Sequence, residues 1–389
     1  MGNGMTSLLI CGDVVNFHNA DGLVCSDDIA KIATEADCSV CNFEAPISGF
    51  GRPQHKTGPH ITQVPATVEG LKSQGFDLLL LANNHIMDYG PEGMTATMER
   101  ISAAGLGCMG AGPDAETAYA PLIKSLGGLK IGMVNACEAQ FGVLDLFERD
   151  DPAGYAWINH PRIDTTVLAL KKECDFVIVF AHAGLEFQDI PQKEWRARYR
   201  HLCDLGADVV AGSHPHVPQG YEEYGNALIF YSLGNFYFHF TSEVHKEYSS
   251  YSVRLDLKKG KKPSFTPIYH YMKENRVHMA PPEKKIFLER LCKLLSYRYN
   301  EAHDEMSMET YEKLEKKLIA SLAPEKRGAS LKSSFKSLVL FVTGRAGKRR
   351  SQSRVRRELQ LLHLLRNEAY YYAIRHALEC KLEKGNPIE

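Results

Sequence analysis

The chain has 389 residues, 44% hydrophobic and 24% charged, which is ordinary for a folded protein and enough for one large or two moderate cores. Its 31 glycines and 18 prolines exclude a collagen-like or low-complexity chain. Its 46 basic against 47 acidic residues exclude a uniformly basic nucleic-acid binder.

The start runs straight into an apolar segment with no basic n-region and no small-residue cleavage site, so no secretory leader is expected. No stretch approaches the roughly 20 apolar residues that span a bilayer. From residue 7 to about 275, short apolar runs alternate with helical patterns, the texture of an α/β protein. Strands are predicted at Ser7–Cys11, Cys38–Phe43, Asp77–Leu81, Lys130–Asn135, Phe176–Phe180, Asp208–Ala211 and Ala227–Tyr231. Their nearly continuous apolar blocks suit strands covered on both faces. Helices are predicted near 26–36, 64–74, 92–104, 163–173 and 192–205. Tyr251–Leu257 and Ser264–His270 alternate like antiparallel or edge strands around a Lys-Lys-Gly-Lys-Lys turn.

From about 281 the composition turns helical, with segments near 307–322 and 355–382. Two domains are therefore expected, 1–275 and a mainly helical basic extension at 281–389. Between Lys326 and Arg357 stand eleven Lys or Arg and no acid, with Leu331, Phe335, Leu338, Val339 and Val342 interspersed. Such a segment suits an anionic membrane surface or a protein partner. No nucleic-acid module accompanies it, so nucleic acid is not expected as a partner.

The ten cysteines lie mostly in apolar runs, which predicts buried thiols in a reducing, cytoplasmic setting. The single C-x-x-C, Cys38 to Cys41, falls in a strand-like run and reads as core thiols.

Polar groups gather after the apolar strands, where α/β proteins place functional side chains. Asp13 follows the first and Glu44 the second. Asn84, His85 and Asp88 follow the third, His182 and Glu186 a later one, and His214 and His216 the next. Asp13 and Glu44 are hard oxygen donors, Asn84 offers a carbonyl oxygen, and three histidines supply imidazole. This mixture suits Mn, Zn or Fe better than Ca. The donors outnumber one tetrahedral shell, so one or two divalent ions are expected, with a carboxylate bridging if there are two. Arg52 and Lys56, in a loop after Glu44, are candidate contacts for phosphate or γ-carboxylate groups.

Taken together, Gly12-Asp13, Asn42-x-Glu44-x-Pro46, Asn84-His85-x-x-Asp88, His182-x-Gly184-x-Glu186, Gly212-Ser-His214-Pro-His216 and Gly-Asn235-Phe236 resemble the CapA or PgsA-like capsule (poly-γ-glutamate) synthesis family over about residues 7–245. That family resembles the calcineurin-like metallophosphatases. The resemblance implies a four-layer α/β/β/α sandwich with a C-terminal helical extension. It implies Asp13 and His216 on a first metal, Glu44 bridging, and Asn84, His182 and His214 on a second. His85 would be a catalytic residue that stabilises the transition state or protonates a leaving group, oriented by Asp88 or another nearby acid, while Glu186 and Asn235 would support the ligands or touch substrate. The implied activity is hydrolysis of a phosphoester or γ-glutamyl amide, with an anionic polymer or phosphorylated substrate as partner. The alternative is a non-catalytic accessory protein for polymer synthesis or export. One position departs from the metallophosphatase pattern: Val15 stands where Asp-x-His supplies a histidine, and His18 or His55 is the candidate to compensate.

Overall fold

A computed structural model describes residues 5–147, 152–239, 248–322 and 345–384. They form two compact units, Met1–Gln54 with His60–His303, and His55–Pro59 with Asp304–Glu389. The helical segment expected from 281 therefore divides: residues 281–303 pack in the first unit.

In the first unit, alternating strand and helix produce parallel pairing, because each helical crossover returns the chain in the same direction. The strands in chain order are β1 (Met5–Val15), β2 (Cys38–Phe43), β3 (Leu78–Leu80), β4 (Gly107–Met109), β5 (Ala111–Gly112), β6 (Leu122–Leu126), β7 (Leu129–Cys137), β8 (Val143–Leu144) and β9 (Gly154–Ala156). They continue as β10 (Phe176–His182), β11 (Val209–Ser213), β12 (Tyr221–Tyr224), β13 (Ala227–Phe230), β14 (Asn235–Phe238), β15 (Tyr248–Lys258), β16 (Ser264–Lys273) and β17 (Arg276–Met279). One mixed sheet has the order β17-β16-β15-β1-β2-β3-β4, with β14 also paired to β1. A second has the order β12-β13-β11-β10-β7-β6, and β5, β9 and β8 form a small third.

The two large sheets face each other. Leu8, Ile10, Val40 and Leu78 of the first share one core cluster with Ile131, Met133, Ile178 and Phe180 of the second. Alternate residues Leu9, Cys11, Cys41 and Phe43 point the other way. There they meet α1 (Asp27–Glu35), α2 (Thr67–Ser73) and α3 (Gly90–Ala103) through Ile29, Leu71 and Ile101. α4 (Ala115–Ala118) sits by the small sheet, while α5 (Pro161–Glu173) and α6 (Lys193–Asp204) pack on the second large sheet. The strand period of two settles the C-x-x-C: Cys38 and Cys41 lie in clusters on opposite faces of the sheet, so they cannot pair. Burial pushes the Cys38 thiol up to about 11 and holds the Cys41 thiol well above its ordinary value, as inert core thiols require.

Asp13 does not follow the first strand, as the sequence pattern predicts, but lies within it. β1 runs on to Val15 because it gains β14 as a parallel neighbour, with a register shift between Asp13 and Val14. Gly12 allows this: a Cβ there would sit 1.8 Å from the Gly234 carbonyl oxygen, which accepts a hydrogen bond from Asp13 N. The aromatic run after Asn235 is β14, with Phe236 and Tyr237 in the core. Phe240 lies outside the described residues.

After α7 (Leu288–Leu294), α8 (Tyr299–Leu322) leads into the second unit, which also holds α9 (Arg345–Arg366) and α10 (Glu368–Lys384). The helix expected over 355–382 is thus two, broken at Asn367, whose side chain accepts from Tyr370 N and caps the second. Of the basic stretch, residues 326–344 lie outside the described residues. No helix among the described residues is long and apolar enough to cross a membrane.

Candidate metal centre

Parallel strands of both large sheets end at one place. From the first come Asp13 on β1, which pairs in register with Asn42 on β2 and Asn235 on β14. Glu44 follows β2, and the turn after β3 brings Asn83, Asn84 and His85. From the second come His182, which ends β10 opposite Ser213 of β11, and then His214 and His216.

Asp13 and Glu44 are completely buried. Asn42 Nδ2 donates to Asp13 Oδ1 at 2.7 Å and lies 3.4 Å from Glu44 Oε2. His216 Nδ1 stands 3.4 Å from Asp13 Oδ2 and 3.0 Å from Asn235 Oδ1, and its Nε2 is 3.7 Å from Glu44 Oε1. His182 Nε2 lies 3.0 Å from Asn84 Oδ1 and 3.7 Å from the same Glu44 oxygen. Its Nδ1 is held by Ser213 Oγ at 2.9 Å. His214 and His216 have φ of 97° and 60°, left-handed values that cost a non-glycine residue backbone strain. That strain turns two histidines, separated only by Pro215, toward one carboxylate cluster.

The donors fall into groups that share a residue. Asp13, Glu44 and His216 form one, and Glu44, His182 and His214 another, each with its ligating atoms mutually within 4.8 Å. Glu186, exposed, joins His214 and His216 in a third. Two observations fit divalent cations here. Glu44 Oε1 and His214 Nδ1 are buried with no hydrogen-bond partner among the described residues. Two carboxylates buried side by side also need a positive neighbour to offset desolvation and mutual repulsion. The arrangement is that of one or two divalent metal sites.

His85 and Asp88 form a buried pair, His85 Nδ1 lying 2.8 Å from Asp88 Oδ2. Asp88 Oδ2 also accepts from Ile61 N at 2.7 Å. His85 follows Asn84 in the chain, whose Oδ1 lies 3.0 Å from His182 Nε2. Arg52 is exposed in the loop after β2, and Lys56 belongs to the second unit.

Val15 is fully buried against Ala45, Ile61 and Phe238, so an apolar plug occupies the position of the missing histidine. The expected compensation is absent from these donor groups. His18 instead stacks on His239 with ring centroids 5.5 Å apart, and His55 belongs to the second unit. The physical reason is local: Asn16 Oδ1 accepts from the His18 and Asn19 backbones and turns the chain back on itself.

Sequence reasoning missed Glu138 and Gln140. Glu138 is buried just past β7; its Oε2 accepts from Gly184 N at 2.9 Å and its Oε1 from Gln140 Nε2 at 2.8 Å. Glu138 Oε1 is 3.7 Å and Gln140 Nε2 3.4 Å from His214 Nε2. They occupy the Nε2 side of the ring, while Nδ1 has no hydrogen-bond partner among the described residues, a pattern that suits the outer support of a ligating histidine. The strand-end rule that found His182 would have found Glu138, had the predicted strand reached Cys137.

Burial holds the His182 and His214 pKa values well below the ordinary histidine value, with neighbouring imidazoles adding to the effect, so both rings are neutral donors. Burial, then the charges of Asp13 and Glu186, raises the Glu44 carboxyl well above its usual range. Burial also opposes charge on His216, but the hydrogen bond and charge of Asp13 outweigh it and the pKa rises. A cation must therefore displace protons from Glu44 and His216. Manganese uptake by the metal-free chain is expected to strengthen as pH rises, by up to about tenfold per unit for each proton released. Calorimetry in two buffers of unlike ionisation enthalpy counts those protons; pH-independent affinity with no release contradicts the assignment.

A family model described as "Bacterial capsule synthesis protein PGA_cap" matches residues 8–240. The "Capsule biosynthesis protein CapA" of Bacillus anthracis is 30% identical over 232 residues, covering 58% of this chain and 56% of that protein. The "PGA biosynthesis protein CapA" of Bacillus subtilis (strain 168) is 32% identical over 220 residues, covering 54% of this chain and 55% of that protein. The chain thus spans about half the length of these curated relatives. Among solved structures, the sulfate thiohydrolase SoxB of Thermus thermophilus aligns with a TM-score of 0.40 and 11% identity, covering 78% of this chain and 62% of that one.

Proposed function

We propose a metal-dependent hydrolase, and the premise is membership: this chain belongs to the bacterial capsule synthesis protein (PGA_cap) family. The observation that carries the reading is Glu44, a carboxylate shared by two donor groups with one oxygen lacking a hydrogen-bond partner among the described residues. Asp13, Glu44 and His216 would hold one cation, and Glu44, Asn84, His182 and His214 the other. Mn, Zn and Fe all suit that donor set. Bound divalent cations supply Lewis acidity toward a phosphoryl or carbonyl oxygen and make a water more acidic. We read the facing sheets and flanking helices as a metallophosphatase-like four-layer sandwich.

The chain's own residues complete the chemistry. Asp88 fixes the Nδ1 side of the His85 ring, so its other nitrogen can protonate a leaving oxygen or amine. Asn42 holds Asp13 while Ser213 and Glu138 orient His182 and His214, so the donors need not reorganise. Glu186 is exposed beside His214 and His216, where it can meet substrate. The substrate class is a phosphoester or a γ-glutamyl amide of capsule or poly-γ-glutamate metabolism, a reading supported by the names of the relatives. We place the chain in the cytoplasm, peripherally associated with membrane.

A second reading is favoured by Val15. With no histidine there, the Asp13 group offers three donors where the other offers four, and one weak cation site would suit an accessory protein for anionic polymer synthesis or export. Elemental mass spectrometry on untagged protein prepared without chelator separates the readings. The hydrolase predicts about two transition-metal ions per chain and turnover of bis-p-nitrophenyl phosphate or a γ-glutamyl anilide. No metal after reconstitution with Mn, Zn or Fe, and no turnover, supports the accessory protein.

A further inference from the structure

The second unit presents a surface that the hydrolase reading does not use. The sequence of α9, Arg345–Arg366, holds Arg345, Lys348, Arg349, Arg350, Arg354, Arg356, Arg357 and Arg366 against one acid, Glu358. His363 adds no charge at neutral pH: burial, then Lys56 and Lys317, pushes it down to about 4. Val355, Leu362 and Leu365 are 44%, 39% and 64% exposed, spaced so that they share one side of the helix, while Leu364 is buried. Arg354 and Arg356 are exposed beside them, Arg354 also pairing with Glu358 at 2.8 Å.

α10 is inverted in the same sense. Its inner stripe is small, Ala369, Ala373 and Ala377, whereas Tyr371, Leu378 and Leu382 on its outside are 45%, 41% and 72% exposed. A helix at an ordinary aqueous surface puts its large apolar groups inward and its charges outward. On α9 the outward apolar groups stand among cations, whereas α10 balances Glu368, Glu379 and Glu383 against Arg375, Lys381 and Lys384.

Charge decides what could cover them. A second copy would bring the same cationic helix and be repelled. Residues 326–344 of this chain, themselves basic and without acids, cannot complement it either. An anionic lipid surface supplies both needs, headgroups for the cations and an apolar layer for the leucines. We propose that α9 docks this chain onto an anionic lipid surface through its outward side. The inference stands independently of whether the centre is a hydrolase.

The test is sedimentation of the full chain with vesicles of phosphatidylcholine alone, or with about a third phosphatidylglycerol, at low and at high salt. Binding is expected only to the anionic vesicles and is lost at high salt. Arg354→Gln and Arg356→Gln should each weaken it about fivefold, and Leu362→Ser with Leu365→Ser more than about tenfold. All four side chains lie outside the metal centre, so unchanged metal content and circular dichroism exclude misfolding as the cause. Equal binding to neutral vesicles, no binding at low salt, or undiminished binding by both the arginine and leucine variants overturns the proposal. So does a dimer in sedimentation velocity that the leucine variant dissolves, or an acidic protein partner that binds through this face while vesicles do not.

Discussion

Replacing Glu44 by alanine is expected to remove both cations at once and to lower hydrolysis by about a thousandfold or more, the scale of losing several kcal/mol of Lewis-acid stabilisation. In the proposed assignment every other donor serves one cation, whereas Glu44 stands in both the Asp13–His216 and the His182–His214 group. His214→Ala should instead spare the Asp13 group and leave about one ion per chain. Stability separates this outcome from unfolding. A carboxyl whose folded pKa is raised contributes stability below its unfolded pKa, near 4.3, and loses it as pH rises through the folded value. Glu44→Gln should therefore melt at or above the wild-type temperature in chelator near neutral pH, while binding metal poorly. Glu44→Ala that keeps about two ions and full rate sinks the shared-carboxylate assignment.

His85→Ala is expected to lower kcat by about 10²- to 10⁴-fold, the range of a lost general acid, with metal content unchanged. His85 stands outside the donor groups that include Glu44, and its ring is fixed by Asp88 rather than by a ligand. The loss should depend on the substrate. A nitrophenolate leaves without protonation and should be little affected, whereas an alkyl ester or an amide needs the proton and should suffer in full. Asp88→Asn should reproduce part of the effect, since Asp88 acts on the ring and not on substrate. An equal loss for both leaving groups, or loss of metal from His85→Ala, reassigns His85 to the ligand shell.

The candidate donors were legible because strand-following polar residues interrupt apolar blocks, and their order along the chain carried the family resemblance. What stayed hidden was of two kinds. Glu138 looked like one acid among many, and only the extra two residues of β7 make it a strand-end residue. Lys56 lies a few residues from Arg52 in sequence yet belongs to the other unit, a division that local composition does not encode.

The sequence by itself determined the alternation of strands and helices, hence the parallel pairs within both mixed sheets, and the identities of the candidate donors, because period and residue chemistry are local properties. Only the tertiary structure decided which of them meet. Asp13 and His216 are far apart in the chain, and their approach to 3.4 Å depends on the register of β14 against β1 and on left-handed turns at His214 and His216. It also decided that Val15 is a core residue and that His18 turns away, since both follow from which surfaces the two sheets bury against each other and against their loops. Pairing across that distance is fixed by the summed burial of whole faces, a sum that no single segment contains.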